Sequence, residues 1–329
     1  QTPLSSREET RMPSSPKVDY SGVTDSIIKL MEDGTFFTGQ GWESDVHHLP
    51  FNFTTDEMYR GINIINLWVT QMNKGYQSMG WMTLRQARNI GATLKVLPAN
   101  APDRGDSKTG QKGTAVFKAG DGWIPSEWKI VTGSEDLYRS QKTGDYEEGD
   151  NLRRSYLKRV GTLFNLDQFD NLPIEPREAN HKPLPETEIN NLLDNHPVPV
   201  FVSQNGRCYY DPRKDNIYMV HENDFTDHNT YLLTLFHELT HSTGHKSRLD
   251  RFPPKIDKTY YAKEELIAEL GEAFLGERIG IPGGMVHAHY LQHYIAHLKD
   301  DDRAIFKAAA AAQTAVELLL EQQQHREAA

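Results

Sequence analysis

The sequence predicts an α+β protein of two domains, and three observations carry that reading. Short helical and strand-like runs alternate through the first half. A Pro-rich stretch then breaks all periodicity, and beyond it long apolar-striped helices surround a small sheet. The expected boundaries are a polar tail over residues 1–18, a mixed α and β domain over 19–171, a linker over 172–185 and a mostly helical domain over 186–329.

The 329 residues include 37% apolar and 10% aromatic side chains, enough for two cores at about 100–200 residues per domain. Collagen, coiled coil and wholesale disorder are excluded on composition. The lone Cys208 has no partner for an internal bridge, which fits a reducing compartment and a cytoplasmic location. Beside Tyr209 and Tyr210 it reads as a packing residue. No run approaches the ~20 apolar residues needed to cross a bilayer, and the first residues lack a signal-peptide core, so no membrane partner is expected. A net charge of −10 argues against coating nucleic acid with the whole surface, but a local basic groove is compatible with it.

In chain order, apolar residues at helical spacing predict helices over Val23 to Met31, Gly61 to Met72 and Thr83 to Ile90. Strand-like runs follow at Ala92 to Leu97, Thr114 to Lys118 and Gly161 to Leu166. Two polar loops, Pro98 to Gly113 and Gly133 to Asp150, interrupt them. After Pro173, Pro176, Pro183 and Pro185, a helix is expected over Glu186 to Leu193, then strands at Val198 to Val202, Cys208 to Tyr210 and Asn216 to Val220. The remaining helices are Thr230 to His241, Tyr261 to Ile279, His287 to Leu298 and Asp302 to about Gln324. Gly244 is expected to end its helix in a left-handed conformation.

The strongest chemical signal is His237-Glu238-Leu239-Thr240-His241, behind an apolar run. Residues four apart share a helix face, so His237 and His241 can aim imidazole nitrogens at one cation. Glu238 lies beside that face, where its carboxylate can act as general base on a water. A catalytic zinc takes a third protein ligand, and the helix from Tyr261 offers Glu264, Glu265, Glu269 and Glu272 within an otherwise apolar pattern. Glu265 is the expected ligand and Glu264 the alternative. Glu269, one turn on, is expected to accept a hydrogen bond from a ligand imidazole and fix its tautomer. The cofactor expected is one zinc ion, or another divalent transition metal. His245 falls out of register for a third histidine ligand, and His287, His289, His293 and His297 read as core-edge residues rather than a second site.

The stretch from Phe51 to Lys95 interleaves Tyr59, Trp68, Tyr76 and Trp81 with Arg60, Lys74, Arg85, Arg88 and Lys95. Aromatics stack bases while cations follow phosphate, so the mixture suits a single-stranded nucleic acid, although Trp68 reads as core. Lys112, Lys118 and the Arg153 to Arg159 stretch add a second basic source.

Asn52, Tyr59-Arg60-Gly61-Ile62-Asn63, Trp81-Met82-Thr83-Leu84-Arg85-Gln86-Ala87, Gly91, Lys112-Gly113-Thr114 and Phe164-Asn165-Leu166-Asp167-Gln168 resemble the N-terminal domain of the ArdC-type antirestriction proteins, shared with TraC-type plasmid primases. Cys208-Tyr209-Tyr210-Asp211-Pro212, the His237 to His241 motif with Gly244-His245, Arg248-Leu249 and Tyr261 to Gly271 resemble the zincin-like metallopeptidase domain joined to it. The resemblance runs from about Tyr20 to about Leu319.

It implies single-stranded DNA as partner, a metal-dependent peptidase fold, and protection of incoming plasmid or phage DNA from host restriction. Candidate DNA contacts are Asn52, Tyr59, Arg60, Asn63, Trp81, Arg85, Gln86 and Lys112 within the matching stretches, and Lys95 from the segment of interleaved aromatics and cations. The protein substrate is not legible. Two other functions fit the same motifs: a DNA-binding module with a structural metal, and a protease acting on DNA-bound proteins.

Overall fold

The computed structural model describes residues 20–33, 49–102, 104–124, 152–172, 186–196, 198–254, 258–281 and 291–326. The expected tail, the loop at 133–150, Pro173 to Pro185, His287 and His289 lie outside them. Eight helices and three small sheets make up the described chain, the mixed α and β architecture that the sequence predicts.

In the N-terminal half, α1 (Tyr20–Glu32) and α2 (Ile62–Lys74) present apolar faces from Ile27 to Met31 and from Ile62 to Val69. Gly61 precedes α2 at φ 54°, a left-handed conformation suited to glycine. Thr83 starts α3 (Leu84–Asn89) with a reciprocal cap, its hydroxyl taking the Gln86 N–H while the Gln86 side chain returns to the Thr83 N–H. The sheet orders β1 (Phe51–Asn52), β2 (Gly80–Met82), β5 (Leu152–Asn165) and β4 (Thr114–Ile124). Strand β2 runs parallel to β1 and antiparallel to the end of β5, with Trp81 opposite Asn165. Periodicity did not reveal β1 or β2, because two or three residues are too few to show an alternation. A separate pair joins β3 (Thr93–Leu94) to β6 (Phe169–Asp170).

The described part of Ala115–Thr162, most of β4 and β5, forms a unit of its own. Tyr20–Thr114 and Leu163–Ala329 form the other. Within this second unit, helices from both sides of the Pro-rich segment pack together. Helix α1 packs on α7 (Leu291–Asp300), and α2 packs on α8 (Ala304–Arg326). The Trp68 ring reaches Phe274 at 6.3 Å, and the Thr24 hydroxyl donates to the Asp302 carbonyl at 2.6 Å.

The C-terminal half adds α4 (Glu186–Asn195) and a sheet in the order β7 (Val200–Val202), β9 (Asn216–Met219), β8 (Tyr209–Asp211). Asp215, at φ 54°, turns β8 into the antiparallel β9, whereas β7 is parallel to β9. Helix α5 (His228–Ser242) starts at an Asp227 cap that accepts the Thr230 N–H at 2.8 Å. It buries Leu232, Leu233, Leu235, Phe236 and Leu239 against α6 (Lys258–Arg278) and α8, each such side chain worth about 1.5–3 kcal/mol.

One expectation is corrected here. Gly244 does not adopt a left-handed conformation. Helix α5 ends instead with Thr243 still right-handed, and Gly244 is small because a Cβ there would meet the Phe252 ring at 2.8 Å.

Candidate metal centre

Helices α5 and α6 bring the predicted residues to one buried point. The Nε2 atoms of His237 and His241 lie 3.1 Å apart, and their rings cross at 81°. The Glu265 carboxylate stands before both, with Oε2 at 3.5 Å from His237 Nε2 and Oε1 at 3.5 Å from His241 Nε2. One ligand atom from each of the three lies within 4.8 Å of the others. Glu238, on the same helix and 6% exposed, adds its negative field to His237.

The outer imidazole nitrogens are held as well. His241 Nδ1 is 3.4 Å from Glu264, so Glu264 supports a histidine here rather than replacing Glu265. Arg251 grips Glu264 through Nη2 at 2.6 Å and Nε at 3.2 Å, and donates to the Thr240 carbonyl at 3.0 Å. His237 Nδ1 faces Glu272 at 3.3 Å, and Glu269 shares a second cluster with these two. Glu269, the expected partner for a ligand imidazole, has a carboxylate oxygen within 4.8 Å of a His237 ring nitrogen, and Glu272 lies beside it. Glu272 stands in the sequence as one carboxylate of the helix with no role of its own, and Arg251 does not stand out there at all. Glu265, Glu269 and Glu272 follow an i, i+4, i+7 pattern that points one face of α6 at α5. Arg251 carries no such signal, because it lies in a loop.

The electrostatics define what the site takes. Five glutamates, at positions 238, 264, 265, 269 and 272, are buried there. Burial alone would raise Glu265, but its bonds to His237 and His241 hold it well below the usual carboxylate range. Burial would likewise lower His241, yet Glu264 and Glu265 raise it to about 9. His237 is raised for the same reason by Glu265 and Glu272. Buried anionic oxygens in this excess call for a cation, and convergent imidazoles beside a carboxylate form a donor set that suits a divalent transition metal. The residues present therefore fit one ion.

A neighbouring cluster fixes the chain beyond α5. Arg248 bonds both carboxylate oxygens of Asp215, donates to the Ser242 carbonyl at 2.7 Å, and meets the Tyr210 hydroxyl at 3.3 Å. Tyr210 donates to Asp215 at 2.7 Å. His245 lies 3.7 Å from Asp215 and pairs with Ser247 at 2.8 Å, outside the donor set around Glu265.

The candidate DNA residues divide by position. Asn52 is a local hub, its Oδ1 accepting from the Thr54 N–H at 3.0 Å and from Gln86 Nε2 at 3.0 Å, while its Nδ2 meets the Tyr59 hydroxyl at 3.4 Å. Asn52, Tyr59 and Gln86 are thus joined in one network. Arg60, Arg85, Lys95 and Lys112 are exposed, and Asn63 is half-buried. Arg60 pairs with Glu317 at 3.1 Å, and Lys95 Nζ donates to the Asp167 carbonyl at 2.8 Å. Trp81 corrects the expectation: it is 0% exposed, packed edge-on to Tyr76 at 6.1 Å, so its ring is no platform for a base.

Residues 187–311 match the family described as zincin-like metallopeptidase, and residues 17–164 match the N-terminal domain of anti-restriction factor ArdC. Two DNA primases TraC of Escherichia coli are 31% and 30% identical over 94% and 93% of this chain. The chain spans only 28% and 20% of their lengths. An uncharacterised protein of Sinorhizobium fredii is 29% identical over 95% of both chains. The crystal structure of antirestriction protein ArdC from plasmid R388, in metal-free form, is 34% identical with a TM-score of 0.66, covering 94% of this chain and 99% of that one. Its Mn(II)-bound form gives a TM-score of 0.65 at the same identity, covering 93% and 98%.

Proposed function

The chain belongs to the ArdC family of antirestriction proteins, and on that premise we propose that it binds single-stranded DNA, carries a zinc-dependent peptidase site, and protects incoming plasmid or phage DNA from host restriction in the cytoplasm. The observation that carries the peptidase part is the buried convergence of His237, His241 and Glu265, with Glu238 on the same helix. Support for DNA comes from the match over residues 17–164 and from the exposed Arg60, Arg85, Lys95 and Lys112. Among the described residues no helix is long and apolar enough to cross a membrane.

In this reading His237, His241 and Glu265 hold the ion. Zinc there would polarise a scissile carbonyl and bring the pKa of a water toward ~7. Glu238, buried on the same helix, would take a proton from water and return it to the leaving amine. Glu264 and Glu272 keep the imidazoles turned inward. Manganese in the R388 relative makes other divalent ions a matter for the same experiment.

The decisive comparison is wild type against Glu238→Gln in three assays: metal content, single-strand binding by fluorescence anisotropy, and survival of unmodified plasmid entering a restricting host. Retained metal and DNA binding with lost protection is the expected result. Protection that survives Glu238→Gln would leave a DNA-holding protein with a structural metal.

A further inference from the structure

A second site lies between the Leu49 to Ile64 stretch and helices α6 and α8, lined by none of the five buried glutamates. It is a cavity of about 360 Å³, within the ~300–1,000 Å³ of ordinary small-ligand pockets. Its apolar lining includes Met58, Phe274 and Val316. Tyr59, Arg60 and Arg278 supply donors, while Glu57 contributes one carboxylate.

The charges around it are unevenly satisfied. Gln313, also in the lining, is committed, taking the Gly61 N–H at 3.1 Å and donating to Glu317 at 3.0 Å. Glu317 in turn takes Arg60 at 3.1 Å. That single carboxylate answers two guanidinium groups. Arg278, half-buried in the last turn of α6, makes no hydrogen bond or salt bridge among the described residues. Burial and the neighbouring charge of Arg60 both lower its pKa. Burial likewise pushes the Tyr59 hydroxyl up to about 12, which keeps it a neutral donor.

A half-buried guanidinium without a bonded partner, beside an apolar wall, matches an anion attached to a flat apolar body. We propose that this cavity holds one nucleotide of a DNA single strand, its phosphate on Arg278 and Arg60 and its base against the half-buried Met58 and Tyr59. The Glu57 carboxylate repels phosphate, which places the phosphate at the arginine side and leaves Glu57 to accept from a base amino group. The proposal rests on the single-strand reading above and gives it a site that spans both halves of the sequence.

The test uses the full chain, with a short fluorescein-labelled oligodeoxycytidine in anisotropy and dCMP in calorimetry, for wild type, Arg278→Gln and Met58→Trp. Loss of one phosphate contact or one stacked base is expected to weaken oligonucleotide binding about tenfold. If wild type binds the strand and both folded variants bind it equally well, the cavity proposal is overturned and the single-strand reading stands. If wild type ignores the strand but binds dCMP, and Arg278→Gln does not, the cavity holds a free nucleotide and the single-strand reading falls. Binding of neither probe overturns both. Photo-crosslinking of wild type to a 5-iodouracil strand guards against unfolded variants. Adducts on Met58 or Tyr59 support the proposal, and adducts confined to other regions overturn it.

Discussion

Gly271 on α6 lies directly against Thr240 on α5: a Cβ at Gly271 would fall 2.5 Å from both Oγ1 and Cγ2 of Thr240. This contact sets how closely the histidine helix and the glutamate helix approach. It lies one residue from His241 on one helix and two from Glu269 on the other.

Gly271→Ala is therefore expected to force α5 and α6 apart. Overpacking of this kind costs about 1–3 kcal/mol, to be read by denaturant titration. Because Glu265 moves with α6, the variant should also retain less metal after dialysis. Wild-type stability together with full metal content would show that the helices tolerate the wider spacing.

Glu265 and Glu264 should separate cleanly. Glu265→Gln is expected to abolish stoichiometric metal. Glu264→Gln, which acts through His241, should weaken affinity by about 10–100-fold, as lost outer hydrogen bonds do. Glu272→Gln should behave like Glu264→Gln through His237. Competition against a chromogenic chelator measures all three, and equal abolition by Glu264→Gln would put that residue among the ligands.

Metal removal should be visible as stability. A ligand at about 100 times its Kd stabilises by about 2.7 kcal/mol, so the chelated protein should melt lower and recover when zinc is restored. His237→Ala should melt at one temperature with or without chelator. A chelator-insensitive wild type would leave the buried glutamates without the cation their packing calls for.

The Arg248–Asp215 pair should make the sheet-to-helix junction acid-sensitive. Burial opposes ionisation of Asp215, but the bonds from Arg248 and Tyr210 overcome it and hold the carboxyl below its ordinary value. The stability it contributes is complete above the unfolded value of about 3.9 and is lost as pH falls through the lower folded one. Asp215→Asn should flatten that acid limb in melting curves. Arg248→Met, which leaves Asp215 without its guanidinium, should cost about 2–3 kcal/mol at neutral pH.

The sequence by itself determined the long helices, because an apolar stripe at helical spacing over many residues has no other use, and it determined the His237–His241 pair, because spacing alone puts both on one face of α5. It also narrowed the third candidate ligand to one helix. Only the tertiary structure decided the rest. Glu265 rather than Glu264 faces both Nε2 atoms because the rotation of α6 is fixed by packing such as Gly271 on Thr240, which no local pattern encodes. Glu272 reaches His237 for the same reason, and Arg251 reaches Glu264 from a loop. Trp81 reads as an aromatic among cations along the chain, yet it is the middle of the three buried residues of β2, which β1 and β5 flank in the sheet. The cavity at Arg278 is the most distant case: its walls come from residues more than two hundred positions apart, and a site made by long-range closure leaves no periodic trace in the chain that forms it.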